Sequence, residues 1–447
     1  MKTKKTILVS IVSISTSLIA QSNYKTFSLS EAIDYALSHN ANYLASEADV
    51  KIAKARNWEY TGIGLPQVSA SFDLKDYLEL PTSLLPGQFF GAPPGTYVPV
   101  KFGTQYNATA GISVSQIIFS SDYISALQAS KNLVELTSKN LQRTKIETKV
   151  QVTKAYYNAL VAKEKFKIIL TNISKLEKLL NDTKALNENG FVEKIDLDRI
   201  QIAYNNLVTE KEKVLRFIGL SQTLLKYQMN YPLNDSIVLT DSLPAFKDKI
   251  TDLKDISFSP EKRIEYQIFN QQKKLNEIDL NRYKMQFLPS IVAYGSYSKN
   301  AQRTKFDVFD FSSNKQWFTI GLIGVTFNWN LFTSGQRYFR IQQAKYNVLK
   351  SQYNLEQIKQ SVQLEYQSAL VNYQNALASL KTQENNLQLA QSVFDTSIKK
   401  YEAGVGANLE VVNAEAALKE AQTNYTTALL EALSAKIDLD KAIGNIQ

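Results

Sequence analysis

Two stretches of this chain, 112–189 and 336–403, contain neither Gly nor Pro and are rich in Lys, Gln, Asn, Glu, Leu and Ala. Nothing inside either stretch breaks a helix, and most of its residues favour one, so each predicts a single very long α-helix. At 1.5 Å per residue, about 68 residues reach on the order of 100 Å, far beyond the mean helix of about 11 residues. The apolar spacing is three-four: Phe166, Ile169, Ile173, Leu176 and Leu180 in the first stretch, and Tyr366, Leu370, Tyr373, Leu377 and Leu380 in the second, resuming at Leu387, Phe394, Ile398 and Tyr401. That pattern calls for coiled-coil packing. Glu384 and Gln391 interrupt it, so the seam is narrow and each helix keeps two wet flanks. Such helices suit a wall one helix thick with water on both sides.

The long stretches belong to a plan that the chain carries twice. LPQVSASF at 65–72 has its counterpart in LPSIVAYG at 288–295. VSQIIFSS at 114–121 answers FNWNLFTS at 327–334, and NENGFVEKIDL at 187–197 answers YEAGVGANLEV at 401–411. Each copy opens with a Gly- and Pro-free helical segment, 28–61 and 261–288, ended by a Leu-Pro pair, since Pro cannot continue a helix and forces its predecessor extended. A strand follows in each. In the first copy Val68, Ala70, Phe72 and Leu74 alternate with Ser69, Ser71, Asp73 and Lys75, the period of two that arises when opposite faces meet different solvents. The Pro/Gly-rich loop 81–99 turns the chain, and Ala108, Ala110, Ile112 and Val114 return against Asn107, Thr109, Ser113 and Ser115, giving a hairpin. The second copy repeats it from 291–298 and 317–328 with a shorter loop. Aromatic residues crowd both hairpins. They suit a membrane–water interface, and equally the core of a soluble sandwich. Each long helix then turns at Gly, in Asn189-Gly190-Phe191-Val192 and in Ala403-Gly404-Val405-Gly406-Ala407. Helical patterns resume at 194–218 and 408–443.

The expected organisation is a signal peptide at 1–20, a first repeat at 21–219 and a second at 261–447. The first holds a β-hairpin at about 66–118 and a long helical hairpin at about 120–218, the second a β-hairpin at about 289–330 and a helical hairpin at about 335–443. Residues 220–260, with Pro232 and Pro244 and ending at Pro260, form a linker with short elements packed on the helices. The leader rests on Lys2, Lys4 and Lys5 followed by the apolar and small residues 7–20, too short to span a bilayer as a helix. No other segment is apolar enough for a transmembrane helix, so any membrane insertion must use strands.

The chain has no Cys, which removes disulfides, thiol catalysis, thiolate metal sites and a lipidated N-terminal Cys. Its single His, His39, has no second His to pair with, so a surface or packing role is expected. The formal charge is +9; Lys2, Lys4 and Lys5 supply three of it, and the remaining +6 is spread along the helices, which gives a nucleic-acid partner no support. No nucleophile–His pair, metal-ligand cluster or phosphate-cradling glycine loop is present. Asp196 and Asp198, two residues apart on a helix, do not share a face. The chain reads as a non-enzyme with no cofactor and no metal.

Two hairpins supply four strands, too few to close around a lumen in a bilayer, where barrels start at about eight. Unpaired edges are prohibitively costly in lipid, so they must pair with other copies of the same chain, and contacts of that kind that close into a ring enclose a pore. The alternative is a secreted structural coiled-coil protein with soluble hairpin caps and no pore.

The ordered set of motifs resembles the outer membrane efflux proteins of TolC type over nearly the whole chain beyond residue 20. It comprises Leu29-Ser30-Glu31-Ala32-Ile33 with Ala36-Leu37 and Asn40, the paired Leu-Pro before each hairpin, the two-fold repeat, and Tyr401-Glu402-Ala403-Gly404 leading to Leu409-Glu410-Val411-Val412-Asn413-Ala414. The resemblance implies a mainly α chain with membrane β: one third of a homotrimer whose 12-stranded transmembrane β-barrel continues into a periplasmic tunnel of long antiparallel helices, an α-barrel. It implies an outer-membrane location, outer-membrane lipid around the strands, and passive conduction of substrates delivered by an inner-membrane transporter through a periplasmic adaptor protein. On matching positions it makes Gly190, Phe191, Val192, Gly404, Val405 and Gly406 candidates for the adaptor-docking tip. It makes Asp196, Tyr401, Glu410 and Asn413 candidates for the periplasmic gate. Where the family pattern has two acidic residues this chain has Glu410 and Asn413, and a gate arginine is replaced by Gly406. A three-fold ring of Glu410 would set a cation preference.

Overall fold

The computed structural model describes residues 25–247, 258–310, 312 and 316–446; the signal peptide expected at 1–20 lies outside them. The elements are β1 (Lys25–Phe27), α1 (Leu29–His39), α2 (Ala41–Ile63), β2 (Gln67–Asp76), β3 (Thr82–Pro86), β4 (Tyr97–Lys101), β5 (Tyr106–Phe119), α3 (Ser121–Glu188), α4 (Lys194–Met229), β6 (Ile237–Leu239), α5 (Leu243–Lys247), α6 (Ile264–Met285), β7 (Ser290–Arg303), β8 (Phe318–Asn328), α7 (Gln336–Glu402) and α8 (Asn408–Ile443).

The two Gly- and Pro-free stretches fold as α3 and α7, of 68 and 67 residues. The long elements correspond in order, β2, β5, α3 and α4 to β7, β8, α7 and α8. Helices α4 and α8 are each 36 residues long and stop on a residue in the left-handed conformation, Asn230 (φ 56°) and Gly444 (φ 82°). Each stop carries the same closing bond five residues back, Tyr231 N–H to Lys226 O and Asn445 N–H to Asp440 O. Helix α4 therefore runs on past 218, through Gly219, and shortens the stretch between the repeats from its N-terminal side. The opening helix of the first repeat is two helices, because the Asn40 side chain accepts from the N–H groups of Asn42 and Tyr43 and starts a new helix while its own backbone is extended. The loop 81–99 also gains structure: β3 and β4 pair antiparallel as a small hairpin of their own.

Each long helix is flanked along its length by two shorter ones, α3 by α2 and α4, and α7 by α6 and α8. The largest buried cluster lies midway, where Tyr156, Leu160 and Val152 of α3 meet Ala32 and Ala36 of α1, Leu225 and Met229 of α4, and Leu429 and Leu433 of α8. There β1 and β6 pair in parallel, and the buried Tyr156 hydroxyl lies 2.9 Å from both Phe27 O and Asp241 Oδ2. Burial pushes the Tyr156 phenol up in pKa, helped by the Asp241 carboxylate. His39 stacks on Tyr35 with ring centroids 4.0 Å apart. A second cluster lies toward the helical tips, built from Leu176, Leu179, Ile200, Leu207, Phe394 and Leu418.

At the other end the four long strands form one antiparallel sheet in the order β2-β5-β7-β8. The two hairpins are joined through β5 and β7. Alternation gives the sheet an apolar face, with Phe72, Ile112, Tyr297 and Val325, and an opposite face on which Ser69 and Ser113 hydroxyls meet at 2.7 Å and the Asn300 amide donates to Asn107 and Thr109. At the sheet's far end Val308 packs on Ala108 and Ala301 of the apolar face.

Candidate functional site

Two features carry the chemistry: the free edges of the sheet and the tips of the helical hairpins. Among the described residues strands β2 and β8, of 10 and 11 residues, each pair on one side only. Their apolar-face side chains Val68, Phe72, Ile323, Val325 and Phe327 are exposed, Ile323 at 94 %. Long, apolar and unpaired edges are templates for strand addition. Because every pair in the sheet is antiparallel, β2 and β8 run in opposite directions, so the β8 edge of one copy and the β2 edge of another would continue the same alternation. No helix among the described residues is long and apolar enough to cross a membrane. Strands of roughly 9–11 residues suffice when tilted in a barrel.

The two tips have one geometry. Gly190 (φ 78°) and Gly404 (φ 73°) take the left-handed conformation that closes a helix end, and Phe191 N–H to Leu186 O and Val405 N–H to Lys400 O complete both turns. Phe191 and Val405 stand out into solvent at the two turns, 78 % and 79 % exposed, while Val192 is half-buried, its carbonyl accepting from the Asn187 amide. Gly406 is required for space, since a Cβ there would come within 2.8 Å of Lys400 Cβ and 3.0 Å of Tyr401 N.

The four gate candidates divide into two sets. Asp196 and Tyr401 lie on the seam between the helical hairpins: the Asp196 carboxylate meets Arg199 at 3.4 Å, its carbonyl accepts from Asn408, and the Tyr401 hydroxyl lies 3.3 Å from Thr183 Oγ1. Glu410 and Asn413 sit one turn apart on the exposed flank of α8. The Asp196–Asn408 bond places Asp196 beside the start of α8, two residues before Glu410.

The seam also holds polar groups that the sequence reading passed over. Helix α8 presents Asn408, Glu415 and Gln422 at seven-residue spacing, so they share one face. Asn408 Nδ2 donates to Asp196 O at 3.1 Å, and Gln422 exchanges bonds with Asn172 of α3, the shorter at 2.7 Å. Glu415 between them is buried, at 9 % exposure, and faces a groove of about 430 Å³ between α4 and α8 that also takes Arg199, Lys419 and Glu420. Burial pushes its carboxyl up in pKa, and Lys419, one turn along, pulls the other way. The heptad spacing of the three polar residues was the signal for them. Among the described residues no group of His, Cys, Asp and Glu is placed to hold a metal ion.

A model of the family described as outer membrane efflux protein matches residues 264–445, the second repeat. No curated protein sequence matches the chain. Solved structures match over 93 % of it. The open-state MtrE outer membrane channel of Neisseria gonorrhoeae is 16 % identical with a TM-score of 0.74 over 88 % of its own length. The CmeC outer membrane channel of Campylobacter jejuni is 15 % identical at 0.71 over 85 %. The outer membrane protein VceC of Vibrio cholerae is 14 % identical at 0.68 over 96 %. The chain thus resembles the outer membrane efflux proteins, in sequence over 264–445 and in fold along nearly its whole described length.

Proposed function

We propose that the protein is one protomer of a homotrimeric outer-membrane channel-tunnel, a passive exit duct for substrates delivered by an inner-membrane transporter and a periplasmic adaptor. The observation that carries this is the junction of β5 with β7. Strand β5 ends the first hairpin and β7 begins the second; β8 ends the second and β2 begins the first. An edge contact between β8 of one copy and β2 of the next is therefore the repeat-equivalent of a contact each chain already makes internally. Three four-stranded sheets joined this way give twelve strands, enough to close around a lumen, with the apolar face toward lipid and the Ser/Asn/Thr face toward water. The helices, too polar for lipid, extend about 100 Å away from the membrane as the tunnel wall.

At the tunnel's end the exposed Phe191 and Val405 are the surface for an adaptor, flanked by Gly190, Val192, Gly404 and Gly406. Glu410 and Asn413, exposed on α8, face the lumen as the selectivity ring, and three Glu410 carboxylates favour cations. Asp196 and Tyr401 act behind them by holding the two hairpins together. Native mass measurement of protein extracted from outer membranes in detergent should give a trimer, and the trimer should conduct in a planar bilayer. A stable water-soluble monomer that ignores liposomes would mean a structural coiled-coil protein instead.

A further inference from the structure

Strand β8 differs from the other three long strands in that its alternation changes phase: Phe318, Ile320 and Leu322, with Thr319 and Gly321 between them, put their side chains on one face, and Ile323, Val325 and Phe327 put theirs on the other. Its register sets Phe318 opposite Asn300, Ile320 opposite Ser298 and Leu322 opposite Ser296, on the face where Asn300 bonds Asn107 and Thr109. Yet Phe318, Ile320 and Leu322 are apolar and exposed. A strand wetted on one face keeps a single phase, so an exposed apolar row on the water-facing side marks a contact surface. Lipid would cover Ile323, Val325 and Phe327; something else must cover the other three.

A second uncovered apolar surface lies on the β3–β4 hairpin, where Leu84, Phe89 and Phe90 are exposed and β3 and β4 pair only with each other. Within one chain two strands, β5 and β7, separate β8 from β2, the strand that leads into this hairpin. Ring closure puts the next copy's β2 directly beside β8. The internal junction even gives the register. It pairs Ile112 with Tyr297 and Val114 with Gly295, and the sequence repeat aligns Val114 with Phe327 and Leu65 with Leu288. Carried across, it sets Val325 opposite Leu74 and Leu322 opposite Tyr77 of the neighbour. Val325 and Leu74 both belong to the apolar face, so the transferred register keeps the two faces continuous. It also puts Pro81, where the hairpin begins, opposite Phe318.

We propose that in the assembled ring each copy's β3–β4 hairpin folds over the water-facing side of its neighbour's β8, covering Phe318, Ile320 and Leu322 with Leu84, Phe89 and Phe90. The occupant is a second copy of this chain, and the assignment rests on the ring reading above. The outer mouth of the duct is then narrowed by one inter-subunit contact per protomer.

Because the chain has no Cys, introduced thiol pairs are unambiguous. Phe89→Cys with Ile320→Cys, treated in outer membranes with a short bismaleimide, should give covalent dimers and trimers. Phe89→Cys with Ile323→Cys, on the opposite face of β8, should give none. A third pair, Leu74→Cys with Val325→Cys, reports the ring itself. If that pair links chains while Phe89/Ile320 stays unlinked or links only within one chain, the hairpin assignment is overturned and the ring stands. If neither pair links chains and native mass gives a monomer, both fall.

Discussion

Replacing Glu415 by Gln should stabilise the seam between the helical hairpins at neutral pH and change almost nothing below about pH 4. The carboxyl is buried between two hydrogen-bonded polar residues of the same helical face, yet its pKa is pushed above the ordinary value of 4.5 by burial, with only Lys419 opposing. The sign follows from which state holds the proton. Below 4.5 the carboxyl is neutral folded and unfolded, and there is no penalty. As pH rises past 4.5 the unfolded chain releases its proton while the folded seam keeps it, so stability falls; above the raised folded pKa the loss is complete and constant. The carboxyl faces the groove between α4 and α8, so solvent and Lys419 screen its charge and the cost of ionising it is on the order of 1 kcal/mol. With roughly 2.1 cal/mol/K of unfolding entropy per residue, 447 residues give about 0.9 kcal/mol/K, so the expected rise in Tm for Glu415→Gln is about 1 °C per chain. Thermal unfolding followed by helical circular dichroism in detergent, from pH 4 to 8, reads it. Glutamine less stable than glutamate at pH 7.5, or a gap that does not change with pH, would refute the reasoning, because either means that the carboxylate is met by Arg199 or Lys419.

Arg263 is 2 % exposed and donates to Ala442 O at 2.9 Å, Glu365 at 2.8 Å and Glu265 at 3.0 Å; Arg263→Met should cost about 3–5 kcal/mol by leaving the Glu265 and Glu365 carboxylates without it, seen as a lower Tm. Burial raises the Glu265 pKa and Arg263 more than reverses that, so it sits below 4.5; this deficit should shrink as acid titrates Glu265, and a deficit unchanged at pH 3 would count against the ion pair. Gly190→Ala and Gly404→Ala meet open space, so only the left-handed backbone resists them; each should cost about 1–2 kcal/mol and speed amide exchange at its own tip alone. Tyr156→Phe should cost about 1–2 kcal/mol and expose the β1–β6 amides to exchange, with the sheet and tips unaffected.

The long helices were readable because a helix of that length needs only the absence of breakers and a sustained apolar stripe, and both are properties of local sequence. Their tips were readable for the complementary reason that Gly190 and Gly404 are placed where a left-handed residue is needed. The end of α4 was not, since Gly219 suggests a stop; a single Gly costs a helix only about 1 kcal/mol against Ala, so the helix passes through it and stops at Asn230. The break at Asn40 hid for the opposite reason: a side-chain cap interrupts a helix without Gly or Pro. Asn408, Glu415 and Gln422 look like solvated helix residues until α3 and α4 are packed beside them. Which flank of a helix is wet is a tertiary fact.

The same distinction explains why the sheet carries more functional weight than the tips. A tip can be a turn and nothing more, because its backbone groups are met locally. The strands cannot be left as they stand: β2 and β8 hold a row of unmet N–H and C=O groups beside exposed Phe72, Val325 and Phe327, and in lipid each unmet group costs several kcal/mol. The chain already answers the equivalent problem once, at β5 and β7, with an antiparallel register running from Tyr106 opposite Arg303 to Ile117 opposite Val292 before a bulge. A duplicated sequence that solves its inner edge by pairing one repeat with the next has, in its outer edges, the same two surfaces over again. Extending the pattern into a closed ring requires no new kind of contact, only further copies.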